Sequence, residues 1–398
     1  MNFELAMIEF SALIGLGILL HHPSRTLGLP SLLIFMAVGL VIGSGQFGFI
    51  YNDFALTSAV GGITLNIIVF VSGLSTSTHK IKVSYKEGGT LSSLGVVLTT
   101  ITFAVIIFFL FDLPTIQCLL FGAVASSTDA AAVFSILKSK KLRLKDDIDT
   151  ILEFESATND PVALMLVVLL TSLSLDQSSM PSLGSMSADL FLQIFVAMIV
   201  AFVAGKLCCY LLNNIKLEEY GLIPVFILVF AVLAMYGSEL FGGNILLAAY
   251  VVGVTIGNDL KRGKKISRHF FNSLSWLAQA VLFVALGLQI VPQELFKVFL
   301  QSLLPAFSLI LVARPIAVQL CYLPFRKTSW RKRLFISSIG LKGATPIVFA
   351  LIPAAAGVDN AIAMVHIVFF VVIISVLVQG GAIKMLATKL ELQKKEEK

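Results

Sequence analysis

Stretches of about 20 mostly apolar residues recur along the whole of this 398-residue chain. Each is long enough to cross a hydrocarbon layer about 30 Å thick as a helix rising about 1.5 Å per residue. Thirteen can be counted: 5–20, 30–47, 54–76, 88–111, 114–138, 149–175, 187–213, 219–238, 242–259, 270–290, 294–323, 331–355 and 361–388. In lipid, every backbone donor and acceptor must be satisfied within its own segment, so such runs fold as helices. The composition agrees, with 57% hydrophobic and 13% charged residues, where a soluble domain carries about a quarter charged residues. The expected fold class is an all-α polytopic membrane protein with about 13 transmembrane helices.

Charge sets the expected orientation. With the N-terminus outside, the loops that become cytoplasmic, the inner helix ends and the tail hold all but three of the 29 Lys and Arg residues. The exceptions are Lys297 in an outer loop, and Arg314 and Lys342 inside spans. This is the positive-inside distribution, and it requires an odd number of spans. No basic stripe with interleaved aromatics appears, so no nucleic-acid partner is expected. Cys118, Cys208, Cys209 and Cys321 lie in apolar stretches without ligand spacing or a disulfide pattern. The acidic N-terminal residues Glu4 and Glu9, with no base before Arg25, do not make a cleavable signal. The polar connection at 176–187 divides two expected six-span halves, about 5–175 and about 219–388, bridged by a helix at about 187–213. Residues 389–398 read as a short charged cytoplasmic tail, with no soluble regulatory domain expected.

Against this apolar background, two polar knots stand out. Residues 153–161 bring together Glu153, Glu155, Ser156, Thr158, Asn159, Asp160 and Pro161, and one span earlier Ser126, Ser127, Thr128 and Asp129 follow one another. An ionisable group at mid-membrane costs about 2.5–3.5 kcal/mol even on the lenient insertion scale, so a cluster of them points to function. Counting from the inner ends of their spans, Asp160 and Lys342 lie roughly 16 Å deep and Asp129 and Arg314 roughly 14 Å deep. Four charges from four spans thus share one depth near the midplane. Glu155 and Asn159, and Ser156 and Asp160, are four residues apart and share a helix face. Carboxylate, hydroxyl and amide are hard oxygen donors, suited to Na⁺, K⁺, Li⁺ and protons; a His/Cys zinc set is absent.

Two spans carry helix-breaking residues at mid-depth: Gly122 to Asp129 in the fifth, and Gly340-Leu-Lys342-Gly343-Ala-Thr345-Pro346 in the twelfth. Their offset of seven is what two six-span repeats around a bridging helix produce, and interrupted helices at matching positions mark a transport site. Lys342 is expected to offset a negative half-helix end, and Asp129 to sit against a positive one.

The ordered set Ser126-Ser-Thr128-Asp129, Glu155-Ser156-x-x-Asn159-Asp160-Pro161, Tyr250-Val-Val-Gly253-x-x-x-Gly257-Asn258, Trp276 to Gly287, Arg314-Pro315 and Gly340-Leu-Lys342-Gly343-Ala344 resembles the monovalent cation:proton antiporter-1 family. Its nearest likeness is to the bacterial NhaP/CvrA-type antiporters, over essentially the whole chain. The resemblance implies an NhaA-like fold of inverted six-helix repeats with two broken, crossing helices. It also implies electroneutral exchange of Na⁺ or K⁺ (or Li⁺) for H⁺ in pH and ion homeostasis. Asp160 would carry ion and proton, with Thr128, Asp129 and Ser156 helping to bind the ion and Asn159 orienting its neighbours. Glu155 would pair with Lys342, and Arg314 would be accessory. No enzyme activity and no cofactor are implied. The partners would be monovalent cations, protons, the lipid bilayer and a second copy in a homodimer of the bacterial inner membrane. Two positions depart from the family pattern: Lys342 stands where Arg is usual, and Val71 where relatives often carry an acid. A sodium-coupled solute symporter of the same architecture is the principal alternative, followed by a cation channel and an intramembrane hydrolase.

Overall fold

The computed structural model describes residues 31–43, 53–129, 144–176, 183–215, 219–290 and 292–394, with scattered positions between 11 and 19, Val133 and Leu142. The regular elements among these are helices: α1 (Ser31–Gly43), α2 (Phe54–Ser75), α3 (Thr78–Ser92), α4 (Leu94–Leu110), α5 (Thr115–Ser126), α6 (Ile148–Leu175), α7 (Leu183–Asn214), α8 (Leu222–Leu240), α9 (Ile245–Asp259), α10 (Lys264–Leu288), α11 (Pro292–Ser308), α12 (Arg314–Cys321), α13 (Trp330–Ser338), α14 (Thr345–Ala355) and α15 (Ala361–Lys389). A π-helical turn, Leu309–Ala313, joins α11 to α12. Among the described residues, eight helical stretches are long and apolar enough to cross a membrane, and four shorter apolar helices accompany them. These twelve fall on the second to thirteenth expected spans; most of the first lies outside the described residues.

Two boundaries move. The fourth span starts at Thr78, ten residues before the expected 88, and the tenth at Lys264 instead of 270. Both extensions are polar, amphipathic turns that carry Lys80, Lys82 and Lys86, or Lys264, Lys265 and Arg268. A hydropathy count stops where apolar residues stop. The helix continues because one face still packs, as with Ser84 and Gly88 of α3 and Ser267 and Phe271 of α10.

Two helix pairs pack glycine-close. Helix α2 of the first half packs on α9 of the second, and α10 of the second packs on α1 of the first. Both contacts are backbone-close: a Cβ at Gly73, Gly253 or Gly257 would meet carbonyls of Tyr250, Phe70 or Leu74 across α2–α9. One at Gly39, Gly43 or Gly287 would meet Val284, Leu288 or Met36 across α1–α10. Small residues are what membrane helices use for such approach, since lipid supplies no hydrophobic drive between them. Helix α6 packs on α3 and α5, and α15 on α11 and α14.

The fifth and twelfth spans break at the expected places. Helix α5 ends at Ser126, residues 127–129 are extended, and Val133 is helical again. Helix α13 ends at Ser338, and residues 339–344 run unwound to α14. The two unwound segments cross, joined by a bond from the Asp129 amide to the Leu341 carbonyl at 2.7 Å.

Candidate functional site

A broken helix leaves orphan carbonyls at one end and orphan amides at the other. At this crossing the C-terminal end of α5 is met by Lys342, whose Nζ donates to the carbonyls of Ser126 at 3.1 Å and Ser127 at 2.8 Å. The lysine is 1% exposed. Asp129 sits beside Gly343, two residues before α14 begins; a Cβ on that glycine would strike the Asp129 carboxylate. An ammonium thus faces the negative end of one half-helix, and a carboxylate lies near the positive end of the other. The unwound segment is also tied from α15. The Lys342 amide donates to Ser375 Oγ at 3.0 Å, Ser375 Oγ donates to Gln379 Oε1 at 2.6 Å, and Gln379 Nε2 donates to the Ser338 carbonyl at 2.9 Å.

Asp160 projects from α6 into this crossing, one residue before Pro161, and is 6% exposed. Its Oδ1 accepts from Ser127 Oγ, and Thr345 Oγ1 lies 3.5 Å from its Oδ2. Next to it, Asn159 Nδ2 donates to Thr128 Oγ1 at 2.6 Å, and Thr128 and Ser156 share a hydroxyl–hydroxyl bond of 3.1 Å. The structure therefore brings together Asp160, Asp129, Ser156, Thr128 and Asn159. It adds two hydroxyls not singled out from the sequence, Ser127 and Thr345. Ser127 lies inside the quoted Ser126–Asp129 run, so its place in the motif was its only signal. Thr345 sits between Ala344 and Pro346, where the first turn of α14 aims it at Asp160.

The expected Glu155–Lys342 pair is not formed. Glu155 pairs instead with Arg314, Nη2 to Oε1 at 2.5 Å, the two side chains being 1% and 3% exposed. Arg314 reaches it from the first position of α12, directly after the π-helical turn, and Gly340 leaves room beside it, since a Cβ there would lie 2.8 Å from Arg314 Nε. Lys342 is held instead by the α5 carbonyls of Ser126 and Ser127. Glu153 is nearer the helix start and pairs with Lys80 at 2.6 Å. Among the described residues, three acids (Asp129, Glu155, Asp160) and two bases (Arg314, Lys342) gather at the crossing. If all are ionised, they carry one net negative charge.

A cavity opens on this cluster. Asp160, Asp129, Thr128 and Ser156 line one side with Ala344 and Thr345. The other side is α2 and α10: Leu65, Ile68, Val69 and Ser72 from the first, Gln279, Leu282 and Phe283 from the second. Val71 is buried and faces elsewhere, so the α2 wall is uncharged. The cavity is thus bounded by the broken-helix group on one side and the glycine-packed helices on the other. A recess that gathers carboxylate and hydroxyl oxygens on one wall, with one excess negative charge when all five groups are ionised, fits a single monovalent cation or a proton.

The family model described as sodium/hydrogen exchanger, transmembrane, matches residues 10–389. The chain belongs to that family. A relative from a Shewanella species, named a K⁺/H⁺ antiporter NhaP2, is 36% identical over 386 residues, spanning 96% of this chain and 67% of its own length. The chain thus spans about two thirds of that relative. A Na⁺/H⁺ antiporter NhaH from Halobacillus aidingensis is 27% identical, with 98% of this chain and 99% of that one covered. The sodium proton antiporter MjNhaP1 from Methanocaldococcus jannaschii has the same fold, with a TM-score of 0.85 at 22% identity, covering 98% of this chain and 99% of that one. This chain is a multi-pass membrane protein of a transporter family.

Proposed function

We propose that the chain exchanges a monovalent cation, K⁺ or Na⁺, for H⁺, with Asp160 as the shared carrier. The observation that carries this reading is a buried carboxylate at the crossing of two unwound helices, beside a cavity onto which Asp129, Thr128, Ser156 and Thr345 also open. Cation and proton compete for the same oxygens. Ser156 and Thr128, ordered by Asn159, and Ser127, Thr345 and Asp129 supply further oxygens to the ion. Lys342 and the Glu155–Arg314 pair hold the crossing in shape. Transport proceeds as the broken-helix group moves against the α1–α2–α9–α10 group with the carrier loaded. The activity is therefore solute exchange and not an enzymatic reaction, with no cofactor.

The assay is proteoliposomes with a lumenal pH indicator, given K⁺ or Na⁺ outside. Asp160→Asn should abolish cation-driven pH change with either ion; undiminished exchange would sink the assignment. On the same footing we place the protein in the bacterial inner membrane with the N-terminus outside and the C-terminus in the cytoplasm, as the distribution of basic residues favours. Two six-span repeats, a bridging helix and a homodimer complete the proposal.

A further inference from the structure

Helix α2 ends at Ser75, Thr76 and Ser77 are extended, and α3 starts at Thr78. The helices on either side of this connector are pinned to different neighbours. Helix α2 is held on α9 close to its end, where a Cβ on Gly257 would strike the Leu74 carbonyl. Helix α3 packs on α6, and Lys80 in its first turn pairs with Glu153 of α6 at 2.6 Å. Between them lie only Thr76, with φ −80° and ψ 123°, and Ser77, with φ −85° and ψ 147°. One side chain spans this connector. Asn258, near the end of α9, donates from Nδ2 to the Thr76 carbonyl at 3.0 Å and accepts at Oδ1 from the Thr78 amide at 3.0 Å. Its Nδ2 also donates to the Val254 carbonyl of its own helix at 2.7 Å, which fixes the amide. The end of α9 is fixed in turn on α7, since Asp259 pairs with Lys206 at 2.7 Å and its carbonyl accepts from Asn213 Nδ2 at 3.2 Å.

We propose that Thr76 and Ser77 form a hinge of the transport motion, and that Asn258 is the positioning residue that fixes its axis. This rests on the reading in which the broken-helix group moves against the α1–α2–α9–α10 group. Hinges are a few residues at the ends of elements that absorb the dihedral change while the elements themselves stay rigid. The peptide units are planar, so the soft torsions of this connector are the φ and ψ of Thr76 and Ser77 alone. Asn258 grips the chain through the carbonyl before Ser77 and the amide after it, so the turning point stays on the end of α9. With both bonds lying on the axis, they are kept through the swing and guide it. Asn258 does not line the cavity at Asp160, so it acts on the motion and not on the ion.

The test uses the full chain in proteoliposomes, with KM and maximal exchange rate for K⁺ and Na⁺ measured beside thermal unfolding. Ser77→Pro suits the extended conformation but freezes one φ and restricts the residue before it. It should lower the maximal rate about tenfold, with KM unchanged. The Ser77 hydroxyl also accepts from the Lys80 amide at 3.3 Å, and Ser77→Gly loses that cap without stiffening the chain. Ser77→Gly should therefore exchange at least as fast as wild type. Asn258→Leu keeps the bulk and removes both bonds, and should lower the maximal rate about tenfold, again with KM unchanged. Ser77→Pro or Asn258→Leu decides alone, should the other fail to yield folded protein. A merely structural role would lower the unfolding temperature and leave the rate of the folded protein at wild type, which overturns the proposal. So does a KM raised at an unchanged maximal rate, or a Ser77→Gly protein as slow as Ser77→Pro. A faster Asn258→Leu protein would mean that the bonds hold one state instead of guiding the swing, and also overturns it. Asp160→Asn runs alongside: exchange retained there would defeat the carrier assignment, a failure distinguishable from that of the hinge.

Discussion

Removing one member of a buried ion pair strands the other, and the stranded charge costs more than the pair contributed. Glu155 and Arg314 meet this condition, being nearly inaccessible and in direct contact. Glu155→Leu or Arg314→Met should each destabilise the protein by about 3–5 kcal/mol, while the double replacement should recover most of the loss. Thermal unfolding in detergent reads all three. A Glu155→Leu protein melting like wild type would show that the pair does not hold the crossing. At the residue scale a sequence fixes depth in the membrane but not which side chains meet. Position along a span gives depth, so Asp129, Asp160, Arg314 and Lys342 were legible as a set. Depth gives no azimuth, and two bases at similar depth, Lys342 and Arg314, competed for Glu155. The π-helical turn ahead of Arg314 has no local signature beyond Pro315, and Lys342 is claimed by α5 carbonyls that exist only because that helix breaks.

At the scale of elements, the two interrupted helices were readable because Gly, Pro and hydroxyl residues at mid-span cannot sustain a regular lipid-buried helix. What held the unwound segments was not readable. The Ser375–Gln379 pair on α15 has the four-residue spacing of ordinary helix-packing polar groups, and only the fold shows it facing residues 338–342. The same holds for Gly343, whose sequence context suggests a breaker but whose role here is also clearance for the Asp129 carboxylate. Gly343→Ala should therefore displace one crossing strand from the other. The overpacking should cost about 1–3 kcal/mol, a modest fraction of a protein this size. Transport should fall much further, because the Asp129 and Thr345 oxygens approach Asp160 only when the segments cross closely. Paired unfolding and exchange measurements separate the two effects, and wild-type exchange by Gly343→Ala would refute the clearance role.

For the molecule as a whole, charge at the crossing constrains the transport cycle. With all five ionised, Asp129, Glu155 and Asp160 against Arg314 and Lys342 leave one negative charge in a region walled largely by apolar helices. An uncompensated charge there is expensive to carry past the α2–α10 wall. Either one bound proton or one bound monovalent cation brings the sum to zero, so both loaded forms can move and the empty form is held back. One cation exchanged for one proton then transfers no net charge. Exchange rates in proteoliposomes should be indifferent to an imposed membrane potential, and steady-state current on a supported membrane should stay at baseline while lumenal pH changes. Replacing Lys342 by Met removes one positive charge and should leave the singly loaded form charged. A potential-dependent rate in that variant, against a potential-independent wild type, is the expected contrast. Current scaling with exchange in the wild type would mean that a further group titrates or a second ion binds, and the one-for-one cycle would fail.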